Sequence, residues 1–186
     1  MSHPQLDDLS RQLDEATARA ERLVAGVDVR RFSARPAPNA WSAAECLAHL
    51  NITTGAYLPV FDKALAAPAA TASDQEIFRK GLIGWVLAWS IEPPYRLKTK
   101  TAARFVPGPV HFVETVATEF VSGQRQLKRR LAAFEGRDLN RLKIRSPFNE
   151  KIAYNVYAAF VILLAHERRH LWQAEQTLLR LAGARG

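Results

Sequence analysis

The stretch that decides the fold is Ile152–Leu181, IAYNVYAAFVILLAHERRHLWQAEQTLLRL. Its first half is apolar on every side, and its second half sets apolar residues among charged ones at helical spacing. That is the pattern of one long helix, buried at its start and amphipathic towards its end at Gly183. The uninterrupted apolar run within it, Val156 to Ala165, is ten residues long, against about 20 for a membrane span. It reads as a core helix, and no membrane partner is expected.

Working outward, the same period recurs three times. Leu6, Leu9, Leu13, Ala16, Ala20 and Leu23 follow at spacings of 3, 4, 3, 4 and 3, the seam of a first helix that Gly26 ends. Asp28 to Ala40 carries Pro36 and Pro38 and should be an extended connection over the surface. Ser42 with Glu45 three residues on is a capping box that starts the second helix, with Trp41 placed to staple onto Cys46 and with the helix running to about Ala66. Pro59 predicts a kink or an earlier break there. A third helix over roughly 110 to 135 follows from Val113, Val116, Phe120, Leu127, Leu131 and Phe134, with Gln124 interrupting the stripe and Gly136 stopping it. The fold class is therefore all-α, a four-helix bundle formed as a single domain over residues 1–186. Residues 67 to 109 form a long crossover that lets the second and third helices run parallel. Within it Ile77 to Trp89 predicts a short helix with Trp85 and Trp89 on one face, stopped by Pro93-Pro94.

A net charge of +8 allows affinity for nucleic acid or other anions. The cations, however, occur in short groups mixed with apolar residues, as in Arg125-Gln126-Leu127-Lys128-Arg129-Arg130 and from Arg137 to Arg145. No aromatic stacking pattern or reader motif accompanies them, so a solvated basic face is the favoured reading and no specific nucleic-acid partner is expected. The N-terminus lacks a basic start followed by an apolar stretch, which predicts a cytoplasmic protein, and the lone Cys46 cannot form an internal disulfide.

Chemistry concentrates in three histidines. His166 and His170 lie four apart, on one helix face about 5 to 6 Å from each other, so their imidazoles can converge on one ion. They continue an inward stripe set by Ala159, Ile162, Leu163 and Ala174. The spacing alone is weak evidence, since two buried neutral histidines bonded to backbone or water would look the same. His49, aligned with Ile52 and Ala56 on the second helix, adds a third inward imidazole and makes a facial ligand set for a divalent metal. Three neutral ligands leave the ion's charge uncancelled and a position open, where a water or a thiolate could serve as nucleophile.

The other candidates have plainer roles. Glu167 points about 100° away from His166 and reads as a surface carboxylate or a support behind the ligands. Glu45 is a cap, Cys46 a small buried hydrophobe, Tyr57 packing, and Asn51 solvent-facing. His111 is read as unrelated to the metal and His3 as disordered.

Trp41-Ser42-Ala43-Ala44-Glu45-Cys46-Leu47-Ala48-His49-Leu50 and His166-Glu167-Arg168-Arg169-His170-Leu171-Trp172-Gln173, in this order, resemble the two signatures of the DinB-like (DinB/YfiT) superfamily. The resemblance implies an up-up-down-down bundle with His49, His166 and His170 binding nickel or zinc, iron being a further candidate, and with homodimers common. It also implies a metal-dependent hydrolase or a transferase using low-molecular-weight thiols, acting on a small molecule. The alternative is a non-enzymatic bundle, stabilised by metal, that binds a protein or anionic partner through its basic surface.

Overall fold

The computed structural model describes residues 3–68, 70–72, 77–94, 100–110 and 112–183. The chain is mostly helical: α1 (Pro4–Ala25), α2 (Val29–Ser33), α3 (Ala43–Ala66), α4 (Gly81–Ile91), a 3-10 turn (Ala103–Phe105), α5 (Val113–Ala133) and α6 (Val156–Gly183), with a two-stranded sheet of β1 (Lys143–Arg145) and β2 (Ala153–Asn155). No helix among the described residues is long and apolar enough to cross a membrane.

Local chemistry accounts for the helix boundaries. Pro4 opens α1, where its missing N–H costs nothing, and the His3 side chain accepts from the Gln5 N–H at 3.2 Å. His3 is thus an ordered cap, also held by its own N–H on Glu135, at 2.8 Å, and not the disordered residue expected. The capping box of α3 is complete: the Glu45 N–H donates to Ser42 Oγ at 3.1 Å and the Ser42 N–H to Glu45 Oε2 at 2.8 Å. Pro59 lies inside α3 without ending it.

Three expectations fail for identifiable reasons. The connection after α1 is not extended from Asp28, because the Asp28 carboxylate caps the Arg31 N–H and Phe32 is buried, giving the short α2 before the prolines act. The last helix begins at Val156 rather than near Ile152, because Ala153–Asn155 pairs with Lys143–Arg145 as a hairpin and the Asn155 side chain caps the Ala158 N–H at 2.8 Å. The short crossover helix begins at Gly81 rather than Ile77, since residues 77–79 are held extended by side-chain amides: Phe78 exchanges two hydrogen bonds with Gln5, and Asn140 bonds the Ile77 carbonyl and the Arg79 N–H. On α4, Trp85 and Trp89 do share a face and stack with centroids 6.1 Å apart.

Residue pairs set the direction of each long helix. Along α1 and α6, Gln5 meets Tyr157, Gln12 meets Arg168 and Arg19 meets Glu175, so these run parallel. Asn51 with Glu119 and Asp62 with Arg130 make α3 and α5 parallel, as the long crossover predicts. His3 with Glu135 and Asp14 with Lys128 set α1 antiparallel to α5, and His49 with His166 and Phe61 with Phe160 set α3 antiparallel to α6. The order is up-down-down-up, and this corrects the up-up-down-down arrangement that the resemblance implied.

The four long helices bury two apolar clusters, one centred on Phe61, Phe134 and Phe160, the other on Leu47, Leu50, Phe120 and Leu171. Between them lie the buried polar residues His49, Thr53 and Thr54 of α3, Gln124 of α5, and Glu167 and His170 of α6. Burying polar groups in this layer is costly unless they are partnered. Here Gln124 donates to Glu167, Thr53 to the His49 carbonyl, and His49 meets the Phe105 carbonyl.

Candidate metal centre

Helix α3 delivers His49 into this layer. Its Nδ1 lies 2.7 Å from the carbonyl oxygen of Phe105, in the 3-10 turn. A carbonyl only accepts, so Nδ1 carries the proton and Nε2 presents a lone pair to the interior. Across from it, one turn apart on α6, are His166 and His170. The His49 and His166 Nε2 atoms are 3.2 Å apart, and one nitrogen from each of the three rings lies within 4.8 Å of the others. Two ligands of a tetrahedral zinc, with Zn–N near 2.0–2.1 Å, stand about 3.3 Å apart. The Nδ1 atoms of His166 and His170 are buried without a hydrogen-bond partner. Three imidazole donors and no competing carboxylate form a set suited to zinc, nickel or iron.

Burial is the largest influence on all three rings and lowers their basicity, while the neighbouring imidazoles and the Arg169 guanidinium push His166 and His170 down further. All three are therefore neutral near pH 7, the state a metal requires. Trp41 covers one side, with its centroid 4.9 Å from that of His49 and 5.8 Å from that of His170. Phe148 covers His166 from another side, at 5.7 Å. Trp41 packs against the cluster containing Cys46, as expected of a staple, but its ring also reaches the histidines.

The remaining candidates fall outside this group. Glu167 is not on the surface: it is 0% exposed, accepts from Gln124 Nε2 at 2.7 Å, and burial pushes its carboxyl up to about 7. Glu45 caps α3 and also holds Arg35. Cys46 is fully buried and burial raises its thiol pKa, leaving a hydrophobe rather than a nucleophile. Tyr57 is packing, with its hydroxyl 2.8 Å from that of Tyr154. Asn51 is not solvent-facing; it ties α3 to α5 by donating to the Val116 carbonyl at 2.9 Å. His111 lies outside the described residues. The Phe105 carbonyl, Phe148 and Gln124 take part in the layer without any sequence motif of their own, although Gln124 stood out as a polar break in an apolar stripe.

The basic groups found in the sequence are largely engaged within the fold. Lys128 pairs with Asp14, Arg130 with Asp62 and Arg141 with Asp138, while Arg137 donates to the carbonyls of Leu65 and Ala67.

Fold and site together define a helical protein with three neutral histidines gathered in a polar layer of its core. Residues 12–174 match the DinB superfamily, and the chain belongs to that family. No curated protein and no solved structure matches it.

Proposed function

We propose that His49, His166 and His170 hold one divalent ion, zinc or nickel first and iron next, within a single-domain four-helix bundle. On this reading the chain is a metal-dependent hydrolase or a low-molecular-weight-thiol-dependent transferase that acts on a small molecule. The observation that carries it is the convergence of three neutral imidazoles, with nitrogens within 4.8 Å of one another. Among the described residues the group contains three side-chain donors. That count favours a centre open to substrate over a closed structural site, which takes four.

A divalent ion there would supply Lewis acidity to a carbonyl or another electrophile. The protein's own residues do the rest. The Phe105 carbonyl fixes the His49 tautomer and ring, as partners of metal-binding histidines do. Trp41 and Phe148 keep bulk water from the rings. A cleft of about 440 Å3, lined by Trp41, His170 and Gln173 among others, gives a small molecule access from the His170 side.

The test is elemental analysis of untagged protein purified without added metal, wild type beside His170→Ala. About one zinc, nickel or iron per chain, lost in the variant, supports the reading. No metal above background and none taken up on titration overturns it.

A further inference from the structure

The cleft at His170 has a polarity that the metal reading does not explain. It runs along α6, where His170, Gln173, Thr177 and Arg180 follow at spacings of 3, 4 and 3 and so share one stripe. Ten residues of helix separate the Cα atoms of His170 and Arg180 by about 15 Å, and the Arg180 side chain leans back towards the helix N-terminus, into the cleft. The far wall is the loop before α3, with Asn39 and Trp41.

Arg169 and Arg180 both line the cleft, and among the described residues lining it none is acidic. Arg180 is exposed near the end of α6 and makes no ion pair with a described residue. The buried carboxyl of Glu167, on the same helix, faces α5 instead. A dication at the histidines would add to this excess of positive charge. Trp41 and Trp172 add aromatic surface between the ends, and the side-chain amides of Asn39, Gln173 and Gln176 can bond polar groups.

We infer that the cleft takes an elongated organic acid, with its carboxylate held by Arg180, its flat apolar body against Trp41 and Trp172, and its opposite end at His170. The inference rests on the metal-site reading only in naming the His170 end as the reacting one; recognition of the acid depends on Arg180 and the cleft walls.

The experiment uses the full chain, as purified and after chelator treatment. It follows the tryptophan indole resonances in 1H–15N spectra while titrating 4-phenylbutyrate or its neutral isostere 4-phenylbutanamide. Trp41 and Trp172 signals should move while those of Trp85 and Trp89 stay, and the acid should bind about fivefold more tightly than the amide, as expected for one partly exposed ion pair. Arg180→Gln should bring the two affinities together, and Arg180→Lys should retain part of the difference. Equal binding of acid and amide, no shift with either, or a preference that survives Arg180→Gln overturns the inference. The chelated arm separates the two readings: a chain that takes up no metal yet prefers the acid through Arg180 removes the metal reading alone. A metal-loaded chain indifferent to the acid removes this one alone.

Discussion

The Nε2 atoms of His49 and His166 stand 3.2 Å apart although the residues are 117 positions apart in the chain and sit on antiparallel helices. Because His49 gives its Nδ1 proton to Phe105, the pair meets either through a single N–H from His166 or through an ion between them. Removing either ring should therefore weaken any metal binding and the packing of α3 on α6 together.

His49→Ala or His166→Ala should each lower metal content and thermal stability together. An ion at a hundred times its Kd stabilises by about 2.7 kcal/mol, which for a chain of this size is a fall in melting temperature of roughly 5–10 °C. Elemental analysis paired with calorimetry checks this. Unchanged metal content in both variants would make the histidines ordinary core residues.

Gln124 and Glu167 form a buried pair, joined at 2.7 Å, in which Gln124 Oε1 and Glu167 Oε2 have no other partner. Gln124→Leu leaves the carboxyl without its donor and should cost about 1–3 kcal/mol, the penalty for a buried polar group left unsatisfied. Combining it with Glu167→Leu should cost less than the two single losses added together. Urea unfolding of the four proteins measures the coupling, and strict additivity would mean the pair carries no net interaction.

Glu45 links acid sensitivity to the start of α3. Burial alone would raise its pKa, but hydrogen bonds from Arg35 and from the Ser42 N–H outweigh burial and hold the carboxyl below its ordinary 4.5. A carboxyl depressed in the fold stabilises above the unfolded value and loses that contribution as pH falls through the folded one. Glu45→Gln keeps an acceptor for the Ser42 N–H and removes only the charge, so it should cost about 0.3–1 kcal/mol at pH 7, the worth of a negative charge in the first turn of a helix, with Arg35 adding little because its side chain is half exposed. The difference from wild type should shrink below pH 4.5. A difference that stays constant with pH would show that the charge contributes nothing.

Cys46 is 0% exposed and burial raises its thiol pKa, so both access and thiolate are denied to a reagent. In native protein at pH 8 a disulfide reagent should react with less than about a hundredth of the rate seen in 6 M guanidinium. Rapid native labelling would place Cys46 on an opening segment or in the reactive site.

Most of the helical framework was legible because helix signals are local. The 3-4 spacing from Leu6 to Ala20, the Ser42–Glu45 box and the HxxxH pair each lie within a few turns of chain, so neighbouring residues carry the whole signal. The hairpin was missed because Ala153–Asn155 is too short to show an alternation, and its pairing with Lys143–Arg145 depends on a separate segment. His3 and Asn51 were misread for the same reason, since their partners Glu135 and Val116 lie far along the chain.

The sequence by itself determined the four long helices and the short crossover helix, and it singled out the three histidines that lie on inward faces. Only the tertiary structure decided the up-down-down-up order, the role of the Phe105 carbonyl in orienting His49, the burial of Glu167 against Gln124, and the cleft that leads from His170 to Arg180. The physical reason is range. A helix and its apolar stripe follow from residues within four positions, whereas the partner of a buried polar atom is whichever group the packing of distant helices brings within about 3 Å.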